Sequence, residues 1–191
     1  MVAADAPSDE QLMRSYAGGD ARAFETLYDR HALPVWRFVQ RSVQNAALAD
    51  DLVQDVWFSV VRQAPQYEAR AKFRTWLFTL AHHRVVDHWR THKAHASLDA
   101  ESEDGSALAD MLAAESGFGP ERRLDSRELA QALLDALAAL PAVQREAFLL
   151  QAEAGMSVAE IAQATGVSQE TAKSRLRYAR ARLRDTLEAH A

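Results

Sequence analysis

An all-α protein is predicted, built as an N-terminal helical bundle and a C-terminal helix-turn-helix domain joined by a flexible acidic linker. Three features of the sequence predict it. From Asp9 to about Thr91, and again from Ser126 onward, apolar residues recur at spacings of three and four, and no alternating stretch reads as a strand. Glycine and proline interrupt the first of these stretches only at Gly18-Gly19, Pro34 and Pro65. Between the two, the chain gains Ser, Gly, Asp and Glu and keeps a single aromatic residue, Phe118, so it lacks the apolar surface to form a core of its own. The resulting division is 8–93 for the bundle, 94–124 for the linker and 125–191 for the second domain.

Four helices are expected in the first domain, at about Ser8 to Ala17, Ala21 to Asn45, Ala47 to Gln63 and Ala71 to Thr91. Asp20 and Asp50 suit cap or first-turn positions, where a carboxylate meets unsatisfied backbone N–H groups. Pro34 is expected to kink or break the second helix. A short helix is conceivable near Ala107 to Ala114 of the linker. Helices then resume at about Arg127 to Ala139, Pro141 to Ala154, Val158 to Ala164 and Gln169 to Glu188, with Pro141 suited to a first helical position.

The last two helices read as a helix-turn-helix. Ser157 with Glu160 three residues on forms a capping box, Gly166-Val167 makes a tight turn, and Ser168 caps the second helix. On that helix Ala172, Leu176, Ala179 and Leu183 form one buried stripe, and the opposite face carries Glu170, Lys173, Ser174, Arg177 and Arg184. An amphipathic helix with a cationic outer face, entered through a short helix and turn, suits a DNA major groove.

Charge is organised along the chain rather than spread over it. The net charge is −5, yet residues 62–93 hold seven Lys and Arg against two acids, and residues 168–184 hold six against one. Residues 98–115 hold six acids and no Lys or Arg. With no cysteine there is no disulfide, thiolate nucleophile or Cys-based zinc site, and no metal or other cofactor is expected. The chain has no apolar run long enough to span a bilayer and no signal peptide, which predicts a cytoplasmic protein without direct membrane insertion.

In Asp50-Asp-Leu-Val-Gln-Asp55 and the residues after it, Leu52, Val53, Val56, Val60 and Val61 are expected to form a core stripe. Asp51, Gln54, Asp55 and Arg62 are left on a polar face. The segment Phe73-Arg-Thr-Trp-Leu77, running on to Arg90, interleaves aromatics with Arg and His. Such interleaving suits stacking of unpaired bases together with neutralisation of phosphates, although Phe73, Trp76, Leu77 and Leu80 are mostly expected in the core.

These segments, with Ala81 and Asp87, Leu140-Pro141 and Arg145, Glu160-Ile-Ala162 and Thr171-Ala-Lys-Ser-Arg-Leu176, resemble the bacterial RNA polymerase sigma factors of the small extracytoplasmic-function type over about 20–91 and 126–187. The resemblance implies that the first domain is region 2, which binds the clamp helices of the polymerase's largest subunit through Asp51, Gln54, Asp55 and Arg62. It also implies that region 2 melts the minus-10 element, with the loop from about Ala64 to Lys72 capturing a flipped base. Arg70, Lys72, Phe73, Arg74, Trp76, His83 and Arg84 are the minus-10 candidates. His83 stands where the family often has Asn, which alters the hydrogen bonds offered to the base.

The second domain would be region 4, whose first two helices, with Leu149 and Leu150 nearby, meet the flap of the second-largest subunit. Its minus-35 candidates are Ser168, Glu170, Thr171, Lys173, Ser174, Arg175 and Arg177. Helical geometry favours Lys173, Ser174 and Arg177 at or near base edges and lets Glu170 accept from a cytosine amino group. Arg175, with Arg180 and Arg184, is expected at phosphates. The linker resembles the one that threads near the active-site channel and the RNA exit path, where its acidity would mimic nucleic acid. An anti-sigma factor is implied as a further partner.

Three other readings compete. A stand-alone helix-turn-helix regulator leaves the aromatic and basic segment of the first domain without a role. An enzyme using His82, His83, Asp87 or His88 lacks any phosphate loop, nucleophile elbow or zinc motif beside those residues. A helical adaptor that sequesters other factors would not need sequence-specific DNA binding in the presence of core polymerase.

Overall fold

Helices account for nearly all of residues 6–93 and 120–188, the parts of the chain that the computed structural model describes. They are α1 (Asp9–Ala17), α2 (Ala21–Val43), α3 (Ala46–Gln63), a 3-10 turn (Ala64–Gln66), α4 (Phe73–Lys93), α5 (Pro120–Ala138), α6 (Ala142–Ala154), α7 (Val158–Thr165) and α8 (Gln169–Glu188). The all-α expectation holds, with no strand among the described residues. The short helix considered at 107–114 and most of the linker lie outside those residues.

Local chemistry sets most helix ends. Ser8 caps α1 in a capping box with Gln11, and the Asp20 carboxylate caps α2 by accepting from the backbone N–H of Arg22 at 3.1 Å. Asp50 does not cap α3. Asn45 does so, accepting from the backbone N–H of Leu48 at 2.9 Å, and Asp50 lies within the helix, where it accepts from Trp36 Nε1 at 2.8 Å. An Asn before two alanines is as good a start signal as an Asp further on, and the earlier cap prevails. Pro34 sits inside an unbroken α2, so packing of Val35, Phe38 and Val39, all fully buried, outweighs the missing backbone donor. Pro141 is the N-cap of α6 rather than its first residue, with φ −52° and ψ 136°. α5 starts at Pro120, well before the expected Arg127, because Pro suits a helix start and the charged run after it also forms helix readily.

The helix-turn-helix takes the expected form. Ser157 and Glu160 make both bonds of the capping box, and α7 ends at Gly166 in the left-handed region, φ 66° and ψ 33°. The Gly166 N–H donates to the carbonyl of Ala162, and Thr171 N–H donates to Ser168 Oγ at 3.1 Å to open α8. A Cβ at residue 166 would meet nothing within 4 Å, so only backbone conformation resists a side chain there. Gly166→Ala is therefore expected to cost about 1–2 kcal/mol, the left-handed penalty alone. Urea unfolding checks this, and a loss above about 3 kcal/mol would mean that the turn is sterically closed after all.

Aromatic and branched side chains fill the N-terminal core. Phe38 of α2 meets Phe78 of α4 edge-to-face, with ring centroids 5.5 Å apart and planes at 71°. Leu27, Val35, Val39, Val56, Val60, Phe73 and Leu77 complete it. The same apolar cluster continues through Leu149, Leu150, Met156, Ile161, Ala172 and Leu176, so the two halves share a core. α6 lies on α2 and α4, and α7 touches α4. A smaller cluster of Ala136, Leu137, Leu140, Ala179 and Leu183 holds α5 against α8.

Candidate nucleic-acid interface

On α3 the chain alternates between what the core takes and what it leaves out. Leu52, Val56 and Val60 are buried as expected, together with Trp57. Val53 is half-buried, and Val61 points outward at 40% exposure. The stripe is thus narrower on one side than the sequence pattern suggests. Asp51, Gln54, Asp55 and Arg62 are all exposed, and Phe58, at 55% exposure, stands among them. Nothing in the local apolar pattern separates Phe58 from the buried Trp57 beside it. An exposed aromatic ringed by polar groups is the usual makeup of a protein-binding patch.

The connection from α3 to α4 builds a pocket. Gln63, Gln66, Tyr67, Glu68, Arg70, Ala71 and Trp76 line a cavity of about 490 Å³, within the roughly 300–1,000 Å³ of small-molecule sites. Tyr67 and Trp76 stand edge-to-face in its wall, centroids 5.1 Å apart at 64°. Burial, with Glu10 adding to it, pushes the Tyr67 hydroxyl up to about 12, so it stays protonated. Phe73 is fully buried behind the wall against Tyr67 and Trp76, and its backbone N–H donates to Glu10 Oε1 at 2.7 Å. Its ring fixes the junction and does not reach the surface.

Of the other minus-10 candidates, Arg70 and Lys72 are exposed on the loop, and Arg70 pairs with Glu68. Arg84 donates to Ser59 Oγ at 2.8 Å and is half-buried. His83 is exposed. Partial desolvation and then the neighbouring His82 hold its imidazole below the ordinary value, with Asp87 opposing, so it is neutral at pH 7. Arg74 does not face solvent freely, because its guanidinium donates to the backbone carbonyl of Glu153 on α6.

On α8, Ala172, Leu176, Ala179 and Leu183 are buried as the spacing requires. Glu170, Lys173, Ser174 and Arg177, with Arg180 and Arg184, line one groove of about 440 Å³ on the outer side. Arg177 lies over the Tyr178 ring, 4.9 Å from its centroid, and reaches the hydroxyl at 3.3 Å. Ser174 returns its hydroxyl to the carbonyls of Glu170 and Thr171 at 2.9 and 3.1 Å. Ser168 and Thr171 are bonded to each other at the helix start, and Arg175 is half-buried; none of these three lines the groove. Leu149 and Leu150 are fully buried in the shared core. Among the described residues no helix is long and apolar enough to cross a membrane.

A capped helix-turn-helix with a cationic outer groove, beside a bundle bearing an aromatic and basic loop pocket, defines a DNA-binding transcription protein. The chain matches Sigma-70 region 2 over residues 27–95 and Sigma-70, region 4 over residues 130–183. It is 36% identical over 175 residues to RNA polymerase sigma factor CarQ of Myxococcus xanthus, covering 92% of this chain and 95% of that one. ECF RNA polymerase sigma factor SigK of Mycobacterium ulcerans is 32% identical over 183 residues, covering 93% and 92%. The solved structure of CnrH in complex with the cytosolic domain of CnrY is similar at a TM-score of 0.63 and 25% identity, covering 97% of this chain and all of that one. The chain belongs to the extracytoplasmic-function (ECF) sigma factors, and it directs RNA polymerase to promoters for transcription initiation. Sigma factors are non-catalytic initiation factors.

Proposed function

We propose that residues 8–93 act as region 2 and residues 125–191 as region 4, each with its own face for polymerase and for DNA, and that the chain performs no catalysis of its own. The observation that carries this division is the loop pocket in the first half, matched by a separate cationic groove on α8 in the second.

Asp51, Gln54, Asp55 and Arg62, with Phe58 at their centre, bind the clamp helices of the largest subunit. Burial of the Phe58 ring supplies affinity, and the surrounding charges set register. The pocket between Gln66 and Trp76 receives one base of the minus-10 strand. Unstacking a base costs a few kcal/mol, and a pocket that binds only the extruded base offsets that cost without ATP. Arg70, Lys72 and Arg84 neutralise the adjoining phosphates, and His83, as a neutral imidazole, can donate or accept one hydrogen bond. Lys173 and Arg177 reach base edges of the minus-35 duplex, Glu170 takes a cytosine amino group, and Ser168, Thr171, Ser174 and Arg175 flank them. The first helices of region 4 meet the flap of the second-largest subunit. The protein works in the cytoplasm, and an anti-sigma factor restrains it, a reading supported by the likeness to CnrH, solved with the cytosolic domain of CnrY.

In vitro transcription with purified core polymerase and a genomic fragment library, with sequencing of RNA 5′ ends, tests this. New start sites preceded by a shared two-block motif are expected with the protein and absent without it. Trp76→Ala is expected to retain promoter-duplex binding in the holoenzyme and to lose most permanganate reactivity of unpaired thymines at the minus-10 block. If Trp76→Ala opens that block as well as the parent, the loop pocket is not the base site.

A further inference from the structure

α4, the helix that carries Trp76, His83 and Arg84, begins without a side-chain cap of its own. Lys72 stands just before it, with its carbonyl accepting from the Trp76 N–H at 3.1 Å, and a lysine side chain has only donors to offer. The first turn of α4 holds no acidic residue, so that turn supplies no carboxylate to the positive end of the helix dipole. The missing acceptor comes from α1. The Phe73 N–H, the first of the helix, donates to Glu10 Oε1 at 2.7 Å across 63 positions of sequence. Glu10 is half-buried, and the Phe73 bond, against the opposing cost of desolvation, holds its carboxyl below the ordinary range.

The neighbours of Glu10 fix it in place. One oxygen of the Asp9 carboxylate takes Arg30 at 2.8 Å and the other meets His31 Nε2 at 2.7 Å, while Arg30 also donates to the Pro7 carbonyl at 3.0 Å. Leu12 and Met13 are buried, and α1 packs on α2, on the 3-10 turn and on α4. The Glu10 carboxylate is thereby set at the junction of α3 and α4. Phe73, whose N–H it accepts, has the His31 ring 5.4 Å away, with Tyr67 at 6.2 Å and Trp76 at 5.7 Å. Those last two rings are walls of the loop pocket, to which α1 itself contributes no lining residue. α1 also precedes residues 27–95, the stretch that matches Sigma-70 region 2.

We propose that Glu10 is a positioning residue of the base pocket: by accepting the first N–H of α4 from outside, it sets the Phe73 backbone and, through the Phe73 ring, the Tyr67 and Trp76 walls between which the extruded base enters. The proposal rests on the reading of the loop pocket as the minus-10 base site. Glu10 touches no DNA in this arrangement and acts only through Phe73. Without the acceptor, the first turn of α4 loses its tie to α1, and a base that binds only the formed pocket loses affinity by the fraction of time the walls are out of place.

The test uses holoenzyme and a fluorescent oligonucleotide carrying the minus-10 non-template strand of a mapped promoter. Glu10→Ala is expected to bind it about fivefold more weakly than the parent, the usual effect of losing one helix cap. Helix content, association with core and binding to the minus-35 duplex are expected to be retained. Glu10→Gln keeps an acceptor oxygen at the same place and is expected to recover most of the loss. Abasic substitution, one position at a time, separates positioning from general damage. At the position whose base enters the pocket, the parent and Glu10→Ala are expected to bind alike, because the interaction that Glu10 serves is already gone. Equal binding of the intact strand by the parent and Glu10→Ala overturns the proposal. So does a loss in Glu10→Gln as large as in Glu10→Ala, or a loss that persists at every abasic position. A parent indifferent to every abasic site would instead sink the base-pocket reading, and the pocket role with it. Amide hydrogen exchange at Phe73, expected to quicken in Glu10→Ala and not in Glu10→Gln, would still decide whether Glu10 holds the start of α4.

Discussion

Charge reversal of Lys173 and Arg177 to glutamate abolishes most binding of the holoenzyme to the minus-35 duplex. Both side chains are exposed and line the same groove on α8, so the fold does not depend on them. Each base-edge contact is worth about 1–3 kcal/mol of discrimination. Losing both therefore costs about 2–6 kcal/mol, a drop of at least about 30-fold at 1.4 kcal/mol per decade. The slope of log K against log salt should change far less than the affinity, because the phosphate contacts are assigned to other arginines. Fluorescence anisotropy on a mapped promoter fragment, across a salt series, measures both. A change below threefold at every salt concentration would remove α8 from the DNA. Tyr178 holds the Arg177 guanidinium in place before DNA arrives, through ring stacking and its hydroxyl. Part of the ordering entropy of that long side chain is thus spent in folding rather than in binding.

Phe38→Ala is expected to lower the stability of the N-terminal half by about 3–5 kcal/mol, the usual range for removing a buried phenyl ring. Phe38 is fully buried on α2 and meets Phe78 on α4. Phe78 packs edge-to-face on the ring from α4 and is itself fully buried, so it is not free to fill the vacated space. That loss is a large part of the total stability of an ordinary domain, about 5–15 kcal/mol. Urea titration followed by circular dichroism reads it as a fall in midpoint. A loss below about 1 kcal/mol would mean that the pair is peripheral.

What the sequence discloses here is what short-range chemistry decides. The capping box at Ser157 and Glu160, the left-handed Gly166 and the buried stripe of α8 were all legible, since each depends on residues within one or two turns of each other. α3 shows where periodicity stops informing. Its apolar residues cover more than one face, and only the position of α2 and α4 decides that Trp57 is covered while Phe58 and Val61 are not. The exposed residues of the candidate DNA and polymerase faces were legible as residue types, but not the concealment of Arg74 by Glu153, a contact between residues 79 positions apart. No local signal marks such a pair. Glu146, Glu153 and Glu160 read in sequence as ordinary solvated acids, spaced by seven, and their partners are on another domain.

Glu160 has two occupations. It closes the cap of α7 through the backbone N–H of Ser157 at 2.8 Å, and it accepts from Thr75 at the same distance. The Ser157 bonds, first from the backbone and then from the hydroxyl, hold its carboxyl below the ordinary range, with Thr75 adding less. At residue 160 only a side chain that can still accept the Ser157 N–H, as Gln11 does from Ser8, keeps the cap of α7. Residue 75 carries no such duty, being tied only to its own helix and to that carboxylate. A change at this one threonine removes a single hydrogen bond between α4 and α7 and leaves the cap of α7 and the groove of α8 as they are.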